Sequence, residues 1–175
     1  MIQTPRLLLR APAPSDLPAL HTIFSNPEAM RYWSHETHDD IARTERVLDN
    51  MIASHADTGL EFVVERDGAV IGKAGLWRIA ELGYILHPDH WGQGLAREAL
   101  GAVIEAAWQT RADIDRITAE IDPRNTVSAR LLTHLGFHET GRRPRTLHLY
   151  GEWCDSTDFA LPRPQATAAK EDPVF

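Results

Sequence analysis

The sequence predicts an α/β chain built on a mixed β-sheet with helices on both faces, and three observations carry that prediction. The expected elements run β-αα-βββ-α-β-α-ββ, so strands and helices interleave. A hairpin is written into Glu61–Arg66, Asp67-Gly68 and Ala69–Arg78, where an Asp-Gly pair separates two strand-like runs. An apolar run, Leu82-Gly83-Tyr84-Ile85-Leu86, then feeds through a glycine-bearing loop into a helical pattern.

In chain order, Arg6-Leu7-Leu8-Leu9-Arg10 is a first strand after Pro5. Ser15-Asp16 are cap candidates for a helix carrying Leu17, Leu20, Ile23 and Phe24 on one side. Asn26-Pro27 restarts the helix, because Asn caps well and Pro fits a first turn. Thr37 with Asp40 resembles a capping box ahead of Ile41, Val47, Leu48, Met51 and Ile52. The hairpin follows, and then a strand over Glu81–Leu86. After the central helix, which should fray near Thr110, Arg116 to Ile121 alternates as a strand. Asn125 caps a helix holding Val127, Leu131, Leu132 and Leu135, and Gly136 closes it. Phe137–Arg142 and Cys154–Leu161 are expected as closing strands joined by a long segment rich in Arg, Tyr and Trp. The Pro- and Ala-bearing tail from Pro162 to Phe175 reads as disordered, and the domain is expected over 1–163 with a disordered segment over 164–175.

At 175 residues, 43% hydrophobic and 25% charged, the composition suits one globular domain with a substantial core. A net charge of −7 argues against a nucleic-acid or anionic-membrane surface and leaves room for a cationic acceptor such as an amine. The single cysteine, Cys154, excludes an intrachain disulfide framework and a thiolate zinc cluster. No leader pattern or long uncharged apolar run is seen, so a cytoplasmic location is expected.

The functional signal is concentrated between His87 and Leu100. Pro88 ends the preceding strand because it has no N–H for a ladder. Gly92 and Gly94 permit a tight turn, and Leu95, Ala99, Ala102, Val103 and Ala106 share a helix face. The unpaired N–H groups and positive dipole end of such a helix make an anion site suited to a phosphate-bearing ligand. A P-loop is excluded, since Leu95-Ala96 follows Gly94 where Lys-Ser/Thr would be needed. A dinucleotide fingerprint is excluded because its third glycine is missing.

Read together, Trp91-Gly92-Gln93-Gly94-Leu95-Ala96, the strand before it, and Asn125-x-x-Ser128 followed by Leu135-Gly136-Phe137 resemble the GNAT N-acetyltransferase superfamily. Trp-Gly-x-Gly-x-Ala-x-Glu-Ala-Leu, the opening Thr4-Pro5-Arg6-Leu7-x-Leu9-Arg10 and Trp153-x-Asp155 are similar to its RimJ/RimL-type branch. The resemblance spans about residues 4 to 163 and implies a GNAT-like fold, with a central, mostly antiparallel mixed sheet. It also implies acetyl-CoA as donor, with CoA as product. Trp91 stands in the first position of the superfamily's Gln/Arg-x-x-Gly-x-Gly/Ala pattern, while Gly94 and Ala96 match. The backbone from Gly92 through Gln93, Gly94 and Leu95 to Ala96 is then expected to hold the pyrophosphate. Ile85, Leu86 and His87 would pair their backbone with the pantetheine amides, and Asn125 would bind the same arm.

Acetyl transfer to an amine needs a base, because an amine is protonated at neutral pH, and help for the departing thiolate. Many superfamily members place a tyrosine where this chain has Leu132, so the resemblance points to Ser128 as the substitute. Glu81 opens the strand that ends at the donor loop and is the candidate base, with Glu120 as runner-up. Tyr32, Trp33, Trp77 and Trp153 are candidate walls of an acceptor pocket. His35/His38 and His87/His90 have a spacing of three, but among nine histidines such pairs arise by chance and no metal site is expected. The Arg142, Arg143 and Arg145 run reads as a solvated face. The resemblance implies a small amine or a protein N-terminus as acceptor, and no nucleic-acid or membrane partner is expected, in a monomer or homodimer. Three functions compete: acetylation of a protein N-terminal amine, acetylation of a small amine such as an amino acid, polyamine or aminoglycoside, and non-catalytic acyl-CoA sensing.

Overall fold

Strand burial and pairing set the architecture. The structure, a computed structural model, describes residues 1–78 and 80–165. Its strands are β1 (Ile2–Gln3), β2 (Leu8–Arg10), β3 (Glu61–Arg66), β4 (Ala69–Arg78), β5 (Glu81–Leu86), β6 (Arg116–Ile121), β7 (His138–Leu149) and β8 (Glu152–Pro162). They form one sheet in the order β1-β2-β3-β4-β5-β6-β8-β7. Every neighbouring pair is antiparallel except β5–β6, which is parallel. The helices are α1 (Leu17–Phe24), α2 (Pro27–Met30), α3 (Ile41–Thr58), α4 (Leu95–Thr110) and α5 (Thr126–His134).

Successive strand residues point to opposite faces, so each face carries its own core. On one face Val63 of β3 and Ile85 of β5 pack with Leu20, Ile23 and Phe24 of α1 and with Leu48 and Met51 of α3. On the other, Phe62 and Val64 of β3 and Leu82 and Leu86 of β5 pack with Leu95, Ala99, Leu100 and Val103 of α4 and Leu132 of α5. A side chain such as Leu100, wholly buried, contributes about 1.5–3 kcal/mol by leaving water. The Asp67-Gly68 hairpin is as expected, with φ of 52° and 80° at its two central residues, as a two-residue primed turn requires.

Several expectations are corrected. The strand expected first, over Arg6–Arg10, is preceded by β1 and begins only at Leu8, because Arg6 instead reaches α4, where its Nε donates to Glu98 Oε2 at 2.7 Å. Asp16 does not cap α1; its carboxylate takes a bidentate grip from Arg10 at 2.8 and 2.9 Å and accepts the Ala13 N–H. Asp40 alone caps α3, through the Ala42 N–H, and the Thr37 N–H goes to the Tyr150 hydroxyl. No long segment joins the last two strands: β7 continues through Leu149 and turns at Tyr150-Gly151, with φ of 51° and 80°, straight into β8. Pro162 is in β8, and Arg163 donates to the carbonyls of Trp108, Arg111 and Ile114, closing the end of α4. The expected disorder beyond residue 165 lies outside the described residues.

Candidate active site

The site is built where the sheet parts. β5 and β6 share a single ladder position, Glu81 opposite Thr118, and beyond it the two strands diverge. His87 gives its N–H to Ile71 on β4 at 2.9 Å. Antiparallel ladders alternate, so Ile85, like His87, also turns its backbone to β4. Tyr84 and Leu86 turn theirs to the gap. The expectation that Ile85, Leu86 and His87 all offer backbone to a pantetheine arm is therefore corrected. Ile85 and His87 are committed to the sheet, while Tyr84 and Leu86 present backbone to the gap.

A cavity of about 830 Å³ runs through this gap. On the α1/α3 face it is lined by Trp33, Glu61, Lys73, Trp77 and Glu81, and from the α4/α5 side by Tyr84, Asn125 and Ser128. Glu81 is half-buried, and its carboxylate makes no hydrogen bond or ion pair among the described residues. Glu120 also lines the cavity but is occupied: Arg143 Nη2 donates to it at 2.7 Å and the Ser156 hydroxyl at 2.5 Å. The free carboxylate is thus Glu81.

Asn125 caps α5 by accepting the Ser128 N–H at 3.1 Å, which leaves its amide N–H groups available to the cavity. Tyr84, which the sequence reading passed over, carries a buried hydroxyl with no hydrogen-bond partner. Burial raises its pKa above the ordinary tyrosine value, and Ser128 pulls weakly the other way, near the phenol but outside hydrogen-bond geometry. A neutral phenol and a serine hydroxyl thus stand together on the α5 side of the gap. Glu61 and Lys73 were also missed. Their signal was a lone lysine inside the otherwise uncharged run Val70 to Leu76, since a charge is rarely buried unless paired.

At the end of β5 the donor loop is held to the strand by the Trp91 indole, which donates to the Leu86 carbonyl at 2.9 Å. Gly92 and Gly94 sit at φ of 72° and 75°, backbone that other residues enter only with strain. Gly94 caps α4, and Glu98 is the first residue of the helix to bond back to it. The N–H groups from Gly92 through Arg97 therefore donate to no described residue. A side chain added at Gly92 would meet nothing within 4 Å, so the loop presents open backbone. This donor set fits the pyrophosphate of acetyl-CoA. Glu98, in the same first turn, is neutralised. Partial burial works to raise its pKa, but hydrogen bonds from Thr4 and Arg6 outweigh it and hold the carboxyl below the usual range.

Of the four aromatic candidates, Tyr32, Trp33 and Trp77 line the cavity. Trp153 does not; it is 53% exposed, flanked by Arg145 and His148 on the outer side of the β7–β8 hairpin. Its neighbours Glu152 and Cys154 face the cavity instead, as strand alternation requires. Arg142 pairs with Glu139, and Arg143 with Glu120 and Asp158. His35 and His38 stack 4.8 Å apart, and His38 bonds Thr44 at 2.8 Å.

The family description "Acetyltransferase (GNAT) domain" matches residues 6–138, and the chain belongs to the GNAT acetyltransferase family. It is 28% identical over 174 residues to the uncharacterized N-acetyltransferase YoaA of Bacillus subtilis, covering 94% of this chain and 98% of that protein. Among solved structures it resembles an acetyl transferase of Salmonella typhimurium that modifies the N-terminal serine of ribosomal protein L7/L12, with a TM-score of 0.81 at 22% identity over 92% of this chain and 97% of that one. It also resembles spermidine N-acetyltransferase of Vibrio cholerae in complex with CoA and spermine, with a TM-score of 0.77 at 24% identity over 91% and 96%. At these identities the structural likeness is one of fold. No helix among the described residues is long and apolar enough to cross a membrane.

Proposed function

We propose that the protein transfers an acetyl group from acetyl-CoA to a primary amine by direct attack in a ternary complex. The observation that carries this reading is the cavity through the β5–β6 gap, with a free carboxylate on one face and two hydroxyls on the other. When bound, acetyl-CoA supplies a thioester whose C–S bond breaks as the amine's C–N bond forms.

The chain's own groups divide the remaining work. The N–H groups from Gly92 to Arg97 hold the pyrophosphate, and the gap-facing backbone of Tyr84 and Leu86, with the Asn125 amide, aligns the pantetheine arm. Glu81 takes the proton that the ammonium must lose. Ser128, backed by the protonated Tyr84 phenol, offers a hydrogen bond where negative charge gathers on sulfur. Tyr32, Trp33 and Trp77 enclose the acceptor. The loop from Trp91 to Ala96 and the Asn125/Ser128 pair support placement in the RimJ/RimL-type branch.

The test is a screen of primary amines with acetyl-CoA, reading released thiol. Turnover with at least one amine is expected. Stoichiometric donor binding with no turnover across polyamines, amino acids, aminoglycosides and peptide N-termini would favour the sensor reading.

A further inference from the structure

Beneath Trp33, on the floor of the acceptor side, lies a pair of charges with unspent bonding capacity. Glu61 is 1% exposed, and its Oε1 touches Lys73 Nζ at 2.5 Å. The contact is an ion pair without hydrogen-bond alignment, and neither carboxylate oxygen has a hydrogen-bond partner. Lys73 has the Trp33 ring 5.8 Å from its ammonium and makes no other polar contact among the described residues. Lysine has three donors and a carboxylate several acceptor sites, so both members have room for a ligand. Buried polar groups left this way are rare in native proteins and call for an explanation.

The floor also has a direction. Glu61 is opposite Gly75 on β4, and Gly75 is opposite Gly83 on β5. Neither glycine places a side chain between the ion pair and Glu81, and the cavity that the pair lines also reaches Glu81. β3 itself fills the room above Gly75, since a Cβ there would collide with the Leu60 carbonyl oxygen and stand 2.9 Å from Glu61 Oε2, so the carboxylate packs over the glycine. Gly83 is one strand spacing further, about 4.8 Å. Trp77 roofs that end, with its Cδ1 3.5 Å from where a Gly83 Cβ would be. Glu81 lies on the same face of β5 as Gly83 and Ile85.

Resting on the acetyltransferase reading above, we infer that Glu61 and Lys73 form the acceptor's docking pair and that the acceptor is a free amino acid. Lys73 takes the carboxylate, the Glu61 charge favours an ammonium nearby, and the cavity they share turns the amine nitrogen toward Glu81. A compact zwitterion satisfies both spare valences at once. A polyamine brings only positive charge to Lys73, and a peptide N-terminus has no carboxylate beside its amine.

The full-length protein tests this with acetyl-CoA and released thiol as readout. A set of L-amino acids is compared with the same molecules lacking the carboxylate, with their amides, with spermidine and with short peptides. Removing the carboxylate should lower kcat/KM by about 10- to 100-fold, as expected for a lost hydrogen bond between charged groups. In Lys73→Met that preference should vanish while KM for acetyl-CoA stays unchanged. Calorimetry should show amino-acid binding to the CoA-loaded wild type and a comparable loss in Lys73→Met and Glu61→Gln. A merely structural pair would change stability without changing which acceptor is preferred. Wild-type preference for carboxylate-free amines, polyamines or peptides overturns the inference without any variant and leaves the acetyltransferase reading intact. So does a carboxylate preference that survives in Lys73→Met. Failure to acetylate any amine overturns both.

Discussion

The indole N–H of Trp91 donates to the carbonyl of Leu86 at 2.9 Å, so the donor loop is fastened to the last residue of the strand that precedes it. Trp91→Phe keeps the ring and removes the donor. A hydrogen bond of this kind contributes about 1 kcal/mol net. If the fastening positions the loop for the pyrophosphate, the acetyl-CoA Kd should rise roughly five-fold. Calorimetry at fixed salt measures this, and an unchanged Kd would separate the fastening from donor binding.

Gly94→Glu should abolish acetyl-CoA binding. It places a side chain and a negative charge beside the N–H groups that open α4, at a residue with φ of 75°. Gly94→Ala separates the two effects, since it carries only the conformational cost of about 1 kcal/mol. Circular dichroism establishes that each variant is folded before calorimetry reads affinity.

Glu81→Gln should lower turnover about 10²- to 10⁴-fold at pH 7 and recover partly at higher pH, where more of the amine is already deprotonated. Glu120→Gln should be milder, because the Glu120 carboxylate is already held by Arg143 and Ser156. Ser128→Ala should lower turnover without changing the pH profile. Donor affinity should be nearly constant in all three. A Glu81→Gln enzyme that matches wild type across pH 6–9 would remove Glu81 from the mechanism.

Cys154 lines the cavity and stands 3.3 Å from Arg124 Nη2. No general base is hydrogen-bonded to it among the described residues, so it is not set up as a nucleophile. Cys154→Ser should retain activity. An acetyl group trapped on the wild-type thiol, seen by mass spectrometry, would establish a covalent route instead.

Acid should loosen the α1/α3 face. Burial, reinforced by repulsion from His35, Arg43 and other nearby cationic groups, lowers the pKa of His38 from 6.5 to about 4. The folded protein therefore prefers its neutral form. Its contribution is complete above pH 6.5, declines as pH falls and is lost by about pH 4. The shift corresponds to about 3 kcal/mol. Urea unfolding at pH 7 and pH 4.5 should show a smaller stability loss in His38→Gln than in wild type.

Local chemistry made most of the fold legible in the sequence. Asp67-Gly68, Asn26-Pro27, Asn125 and the Gly92/Gly94 loop each impose one backbone solution, and each appears where its residues predict. Long-range pairing was not legible. Asp16 looks like a cap until Arg10 is seen to reach it from the neighbouring segment. The β7–β8 hairpin was hidden because Arg142 to Tyr150 lacks apolar alternation; its outer face is held by ion pairs and by Arg145 over Trp153. At the site, Asn125, Ser128 and Glu81 all line the cavity. Asn125 and Ser128 could be singled out from sequence because a motif numbers them, and Glu81 because it opens the strand that ends at the donor loop. Tyr84, Glu61 and Lys73 could not, since their roles depend on which strand face meets the gap and on the Gly75–Gly83 register.

The single ladder position between β5 and β6 has a mechanical consequence. It divides the sheet into a five-stranded body and a three-stranded flap, β6-β8-β7, with little backbone bonding across the line. A donor whose amides bond to Tyr84 and Leu86 acts there as an inserted strand, adding rungs the protein lacks. Hydrogen exchange should therefore slow most along β5 and β6 when acetyl-CoA binds, and the melting temperature should climb with its concentration as linkage requires.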